Sequence, residues 1–344
     1  WKENLCGYYR YVPGYATLVQ KNTLESLDDY ITDAGINLAD FNGITDQVTV
    51  DGSLYELPFR SDYWLIYYNK DVFDAAGIAY PSNDMTMEDY DALARQLTDT
   101  TYGSQVYGCH YHTWRSAVEL FGILDGKHSI LDGNYDWMIP YYDMILSEED
   151  DGVCQTYTDL STEGLHYSAA FSNGNVAMMN MGSWFISTLI SNLDSGEYDS
   201  SLCGNWGIAS YPHPDGAEAG STIATITGLA VTSASANKDA AFDFVNWVSG
   251  TEGAKVMAST GNFPAIMTDD VINTIAGMAG FPTDESSKEA LNITNAYLEV
   301  PYAENVSEIN SILDTYHTSI MNREVTVEEG VASMNEQVGK ILNQ

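Results

Sequence analysis

The 344-residue chain is strongly acidic, with 13 Lys and Arg against 49 Asp and Glu and a formal net charge of −36. This charge repels phosphate backbones and anionic lipid headgroups, which excludes nucleic-acid binding and membrane-surface binding as functions. The length exceeds what one core usually serves, and 44% of the residues are hydrophobic, so we expect two folded lobes. No apolar run approaches the roughly 18 residues of a transmembrane helix.

The first half of the chain alternates strand and helix patterns. Residues 48–57 predict a hairpin in which Asp51-Gly52 supplies the positive φ angles of a tight turn, and Pro58 is expected to end it. The continuous apolar run 64–68 predicts a strand that is buried on both faces. A further strand is expected at 106–111, and helices are expected at 72–76, after the capping pair Thr86 and Asp89, and at 117–124.

The second half continues the same alternation. Thr326 with Glu329 three residues later predicts a capping box at the start of the last helix. Strands are expected at 176–181, 206–209 and 222–232, and helices from Trp184, at 238–248 and at 306–316. Strands alternating with helices predict an α/β fold with mostly parallel sheets.

Motifs for cofactors, metals and catalysis are missing from the sequence. Neither GxGxxG nor GxxxxGK[ST] occurs, so no nucleotide cofactor is expected. His110 and His112 alternate around Tyr111 without a third ligand at suitable spacing, which favours structural histidines over a metal site. No GxSxG occurs, and no carboxylate pair stands out among the acidic residues. We therefore expect no catalytic residue, no metal and no cofactor.

The four cysteines are Cys6, Cys109, Cys154 and Cys203, and none lies in a CxxC motif. They allow three pairings if all four are oxidised, and their spacing alone does not fix the compartment.

Aromatic residues are the positive functional signal. The chain has 24 Tyr and 7 Trp against 10 Phe. Tyr and Trp combine an apolar ring face with a polar tip, which is typical of sites that stack on a sugar ring and hydrogen-bond its hydroxyl groups. Their positions near predicted strand ends single out Tyr63, Trp64, Tyr111, Trp114 and Trp184.

Five segments follow one another in order along the chain: DGSLYELPF with WLIYYNKDVF at 51–73, AGIAYPSNDMTMEDY at 76–90, FSNGNVAMMNMGSW at 171–184, TGLAV and its helix at 227–245, and GNFPA at 261–265. Taken together, they resemble the extracellular sugar-binding proteins of ABC importers, the family that includes maltose-binding protein. Each segment is weak alone, but their common order is specific because chance would have to reproduce it.

The resemblance implies an α/β, two-lobed periplasmic-binding-protein-like (type II) fold with a hinge of crossing strands and a ligand cleft. Lobe one is expected at 1–63 plus 224–272, and lobe two at 64–223 plus 273–344. The family normally has roughly 60 more residues, about two strand–helix units, before the position that matches Tyr8. We therefore expect the sequence to begin within a longer natural chain, which leaves lobe one incomplete.

The resemblance also implies ligand-binding residues. Asp62 matches an acid that accepts hydrogen bonds from sugar hydroxyls, Tyr111 and Trp184 match stacking aromatics, and Gly228 matches a close-approach glycine. Tyr9 lies where a lobe-one ligand loop is expected.

Side chains alternate along a strand, which constrains two of these assignments. Either Tyr63 or Trp64, but not both, should share the side of Asp62. A Tyr111 in the cleft would turn His110 and His112 away from it.

The implied function is the binding of a neutral mono- or oligosaccharide, without chemistry, and its delivery to an ABC transporter permease. The protein is expected to be a monomer outside the cell or in the periplasm, tethered as a lipoprotein whose signal segment is not in this sequence. Two alternatives stay open. One is a glycan-active hydrolase; the other is a protein of the same fold that binds a cation such as a polyamine, which the charge of −36 would attract.

Overall fold

The computed structural model describes residues 7–10, 15–41, 43–99 and 105–343, with only the backbone at 7–10 and 99. The strands are β1 (Gly7–Arg10), β2 (Glu56–Asn69), β3 (Tyr107–His110), β4 (Val176–Gly182), β5 (Trp206–Ser210), β6 (Thr222–Ala230) and β7 (Ala296–Leu298). The helices are α1 (Tyr15–Gln20), α2 (Asp28–Ala34), α3 (Ile44–Gln47), α4 (Lys70–Ala76), α5 (Met87–Asp99), α6 (Ser116–Ile123), α7 (Ile139–Asp150), α8 (Tyr157–Glu163), α9 (Tyr167–Ser172), α10 (Trp184–Ser195), α11 (Ser200–Cys203), α12 (Lys238–Ser249), α13 (Thr251–Ala258), α14 (Asp269–Ala276), α15 (Glu285–Glu289), α16 (Val306–Met321) and α17 (Val327–Leu342). Among the described helices, none has the length and apolar character needed to cross a membrane.

The chain divides into two compact units, each a mixture of helices and strands. Unit one comprises the described residues up to Tyr63 together with Ala224–Met278 and Val300–Glu308. Unit two comprises Trp64–Ile223, Ala279–Glu299 and the described residues from Ile309 onward. The prediction of an α/β chain folded into two lobes is confirmed.

In unit one, β6 lies between β1 and the first part of β2, and both pairings are antiparallel. The turn before β2 is the predicted one, because Asp51 has φ 51° and Gly52 has φ 81°. The prediction that Pro58 ends the strand is wrong, since β2 continues through it to Asn69. A register shift between Pro58 and Arg60 accommodates the proline, which has no N–H to donate to the ladder.

In unit two, the second part of β2 lies between β4 and β5 and is antiparallel to both. Among the described strands, β2 is antiparallel to β4, β5 and β6, and β1 is antiparallel to β6, whereas β3 is parallel to β4, so the prediction of mostly parallel sheets is wrong. The strands β4 and β5 do run in the same direction, as their helical connection predicts. They are not neighbours because β2 is inserted between them. Every residue of β2 from Trp64 to Asn69 is buried, which confirms the prediction for the apolar run 64–68.

The two residue pairs predicted to cap helices form the expected hydrogen bonds. The Asp89 N–H donates to the Thr86 hydroxyl at 3.1 Å, and the Thr86 N–H donates to the Asp89 carboxylate at 3.1 Å. Thr326 and Glu329 form the same reciprocal pair at the start of α17. Each pair satisfies backbone N–H groups that the first helical turn leaves without partners.

A buried arginine joins two helices of unit two. The Arg115 guanidinium pairs with Glu119 in α6, with Nε 2.6 Å from a carboxylate oxygen, and both side chains are almost fully buried. It also donates to the backbone carbonyl of Asn310 at 3.0 Å and to the Asp314 carboxylate, both in α16. Removing the guanidinium would leave the Glu119 charge buried without its partner.

We predict that Arg115→Met lowers the free energy of unfolding by about 3–5 kcal/mol, because breaking one side of a buried ion pair is costly. The matched control is Arg95→Met in α5, whose side chain is 32% exposed and pairs with Asp91 and Asp151. Its loss should stay below about 1 kcal/mol. Urea denaturation of the two variants measures both effects, and equal losses would contradict the prediction.

A buried histidine in the core of unit two, His317, makes the stability of the fold depend on pH. Burial, together with the positive charge of Arg115, lowers the pKa of His317 to about 3. The His317 ring shares a hydrogen bond of 3.0 Å with the Tyr142 hydroxyl. An unfolded chain binds a proton at this position below about pH 6.5, whereas the folded chain does not, so the histidine opposes folding as the pH falls.

In wild type, the free energy of unfolding should fall as the pH drops from about 6.5 to 4. We predict that His317→Gln reduces this slope by up to roughly 1.4 kcal/mol per pH unit. The comparison is made as the difference between wild type and variant, because buried carboxyl groups titrate in the same range. His128→Gln, at a side chain that is 38% exposed, is the control for replacing a histidine outside the core. Parallel curves for wild type and His317→Gln would rule out this role.

Candidate functional site

Unit two contains a group of six mutually packed rings, which we call the aromatic cluster: Trp64, His112, Trp114, His166, Tyr167 and Trp184. Trp64 lies edge-on to Trp184 with ring centroids 5.5 Å apart, and edge-on to Trp114 at 6.5 Å. Trp114 and Trp184 are themselves 6.3 Å apart. The cluster thus brings three of the seven tryptophans of the chain together.

The position of Trp184 follows from the glycine two residues before it. Trp184 is the first residue of α10, and Gly182 is the last residue of β4, paired with Trp64. A Cβ atom added to Gly182 would lie 2.0 Å from the Trp184 indole ring. Only a glycine therefore lets the indole lie over the end of the strand. The indole N–H donates to the Tyr167 hydroxyl at 3.1 Å, which fixes its orientation.

The three indoles differ in exposure. Trp64 is only 2% exposed and lies beneath the other two, whereas Trp114 is 39% exposed and Trp184 is half-buried. The Trp64 Nε1 atom has no hydrogen-bond partner among the described residues. The cluster therefore presents one open indole and one partly open indole on a buried aromatic base.

His112 adds a polar but uncharged group to the cluster. Its ring centroid lies 4.6 Å from that of Trp114 and 5.4 Å from that of Tyr167. Burial, together with the neighbouring His166, lowers the pKa of His112 to about 4, so the imidazole is neutral at neutral pH. Its Nδ1 atom is buried and has no partner in the part of the chain that the structure describes.

Tyr111 does not join the aromatic cluster. It is 5% exposed, and its ring lies among core rings, with centroids 6.4 Å from those of Tyr90 and Phe121. The next residue, His112, occupies the place beside Trp114 instead. Sequence reasoning missed His112, His166 and Tyr167, although the aromatic signal did include Trp114.

Asp62 lies in unit one and is paired with an arginine on the same strand. Its carboxylate accepts a hydrogen bond from Arg60 Nη2 at 3.0 Å, and its other oxygen lies 2.7 Å from Arg60 Nε. The neighbouring Tyr63 packs edge-on against Phe263, with centroids 6.0 Å apart, and burial raises the pKa of Tyr63. Asp62 is thus held in a fixed orientation by a fork-shaped partner.

Gly228 in unit one makes room for a buried acid. A Cβ atom at this position would lie 2.3 Å from the Glu56 carboxyl carbon. Glu56 is fully buried, and burial raises its pKa to about 7. Tyr9 lies directly opposite Gly228 in the β1–β6 pairing, but the side chain of Tyr9 is outside the described part of the structure.

Residues 9–255 match the family model described as bacterial extracellular solute-binding protein. A sugar transporter from Rhizobium etli, solved in an open conformation, is 46% identical with a TM-score of 0.91, and the match covers 96% of this chain and 84% of that chain. An ABC substrate-binding protein from Listeria monocytogenes in complex with cycloalternan is 22% identical with a TM-score of 0.80, over 98% of this chain and 85% of that chain. Maltose-bound MalE3 of T. maritima is 18% identical with a TM-score of 0.73, over 95% and 82%. No curated protein matches the chain.

The family match spans more than half of the chain, and the R. etli structure is similar over nearly all of it. Both comparisons confirm the two-lobed fold class and a solute-binding protein rather than an enzyme. The chain belongs to the family of bacterial extracellular solute-binding proteins, as its ordered sequence segments predicted.

Proposed function

We propose that the protein binds a neutral mono- or oligosaccharide at the aromatic cluster and delivers it, unchanged, to the permease of an ABC importer. The observation that carries this proposal is the open indole of Trp114 next to the half-buried indole of Trp184. The flat CH faces of a sugar ring pack well on such indole faces, while polar groups at the rim bind its hydroxyls.

The chemistry of the cluster favours a neutral ligand. The neutral His112 imidazole offers a hydrogen-bonding nitrogen without a charge, and the Tyr167 hydroxyl already accepts from Trp184 and can still donate. A net charge of −36 would repel anionic solutes. The R. etli protein that is 46% identical is described as a sugar transporter, which supports the same ligand class.

The other predicted residues enter the proposal in different ways. Asp62, oriented by Arg60, is proposed to accept hydrogen bonds from sugar hydroxyls. Tyr63, Tyr111 and Gly228 are packed against other groups of their own units, which supports a role in shaping the site more than in stacking. Tyr9 stays a prediction as a ligand residue.

Location and partners complete the proposal. A binding protein of an importer works outside the cytoplasmic membrane, and the family model is named for extracellular proteins. We propose that this chain acts there as a monomer that is itself a membrane-tethered lipoprotein. Its protein partner is the membrane permease.

We predict that Trp114→Ala and Trp184→Ala each weaken sugar binding by about 2 kcal/mol, or roughly thirtyfold in Kd, because each removes an aromatic anchor. A thermal-shift screen against a glycan library first identifies the sugar, since a ligand of the folded state raises Tm. Calorimetry then compares the variants with Trp247→Ala, a control in α12 that is 54% exposed and lies in unit one. The control should bind as wild type does.

Three results would redirect the proposal. Wild-type affinity in both variants would remove the aromatic cluster from the binding site. Reducing ends released from an oligosaccharide over hours would favour a hydrolase. A Tm raised by polyamines and by no glycan would favour the cation-binding alternative.

We predict that Gly182→Ala weakens sugar binding by tenfold or more, on the order of 1.4 kcal/mol, because the added methyl group forces the Trp184 indole to move. Gly339→Ala in α17 is the matched control, since a Cβ atom there meets nothing within 4 Å. Near-ultraviolet circular dichroism reports the displaced indole. A Gly182→Ala protein with the spectrum and the affinity of wild type would show that Trp184 does not depend on this glycine.

A further inference from the structure

Two cysteines and a glutamate meet in the core of unit two, outside the aromatic cluster. Cys109 lies in β3, Cys154 follows α7 by four residues, and Glu148 lies in α7. The two Sγ atoms and a Glu148 carboxylate oxygen all lie within 4.8 Å of one another. All three residues are buried, and the sulfur atoms are thiols in the structure. The proposed sugar site uses none of them.

A backbone hydrogen bond keeps the two cysteines next to each other. The Cys109 N–H donates to the carbonyl of Val153, the residue before Cys154, at 3.4 Å. This backbone hydrogen bond keeps the two segments adjacent, and the two Sγ atoms already lie within 4.8 Å of each other. A disulfide requires them to approach to about 2 Å, which rotation of the two side chains would have to supply.

The same three groups are less suited to a metal ion. Structural zinc sites use four ligands, whereas the described residues bring only three metal-ligating side chains together here. Two thiolates and a carboxylate around a divalent ion would also leave a net negative charge in a fully buried place. A disulfide is uncharged, and burial raises the pKa of Glu148 to about 8, which keeps that acid largely neutral beside it.

We propose that Cys109 and Cys154 form a disulfide bond in the mature extracellular protein. Both S–H bonds break and one S–S bond forms, and two electrons and two protons pass to the oxidant. The oxidant is a second disulfide, either a small-molecule disulfide or that of a thiol–disulfide oxidoreductase, and it is reduced to two thiols. An extracellular location provides the oxidising conditions in which such bonds persist.

The bond would close a loop of about 45 residues that contains α6, α7, His112 and Trp114. Closing the loop restricts the unfolded chain and so stabilises unit two. It would also join the end of the strand that leads into His112 to the segment that follows α7.

The test starts from the whole chain refolded in a buffer of reduced and oxidised glutathione. Free thiols are then alkylated in denaturant, and a non-reducing digest is analysed by mass spectrometry. We expect a linked Cys109–Cys154 peptide pair and an alkylated Cys203. Reductant should lower Tm by about 5 °C or more in wild type and in Cys203→Ala, but not in the double variant Cys109→Ala with Cys154→Ala.

Three results would overturn the proposal. The first is alkylation of both Cys109 and Cys154 after refolding. The second is a bridge from either residue to Cys203 or Cys6. The third is one equivalent of zinc that stays bound through dialysis and is lost in the double variant, which would make the group a metal site.

Discussion

The pairing of strand β2 is the constraint on which the sheets of both units depend. Its first part pairs with β6 in unit one, and its second part is paired on both edges, by β4 and β5, in unit two. A strand with neighbours on both edges and cover on both faces must be apolar throughout, as residues 64–68 are. This is also why Trp64, the first of these residues, is the buried base on which the more open indoles pack.

Features that depend on a few neighbouring residues could be predicted from the sequence. The Asp51-Gly52 turn and the capping pair Thr326–Glu329 each need only local backbone geometry and one or two side chains. Sheet partners depend on residues far apart in the chain. The strand–helix alternation gives β4 and β5 the same direction, but nothing local reveals that β2 lies between them. Pro58 illustrates the same limit, because the register shift that accommodates it depends on a partner strand about 170 residues away.

In the candidate site, too, the residues that local sequence signals mark could be predicted, whereas those brought in from distant parts of the chain could not. Trp64 and Trp184 stand at the ends of recognisable strands, and this position is what singles them out in the sequence. Strand alternation predicts that Tyr111 and His112 face opposite sides, and their ring partners do differ, but it is His112 that lies beside Trp114 while Tyr111 packs among core rings. His166 takes its position from its role as the residue before α9, where its ring accepts from the Ser168 N–H at 3.4 Å. No spacing rule connects His166 to Trp114, which lies 52 residues earlier in the chain.

Under the proposed function, the negative charge of the protein and its uncharged aromatic cluster both favour a neutral ligand over an anion. Burial raises the pKa of Glu56 to about 7 and that of Glu148 to about 8, which holds these core acids close to neutral, so the negative charge of the protein comes mainly from other acids. Charges on an exposed surface act over a screening length of about 8 Å at physiological ionic strength, and they repel anionic solutes before contact. A neutral sugar feels no such repulsion, and it gains its binding energy only on reaching Trp114 and Trp184. Selection against anions therefore acts at a distance, while selection for ring shape acts at contact, and neither requires a charged group in the cluster.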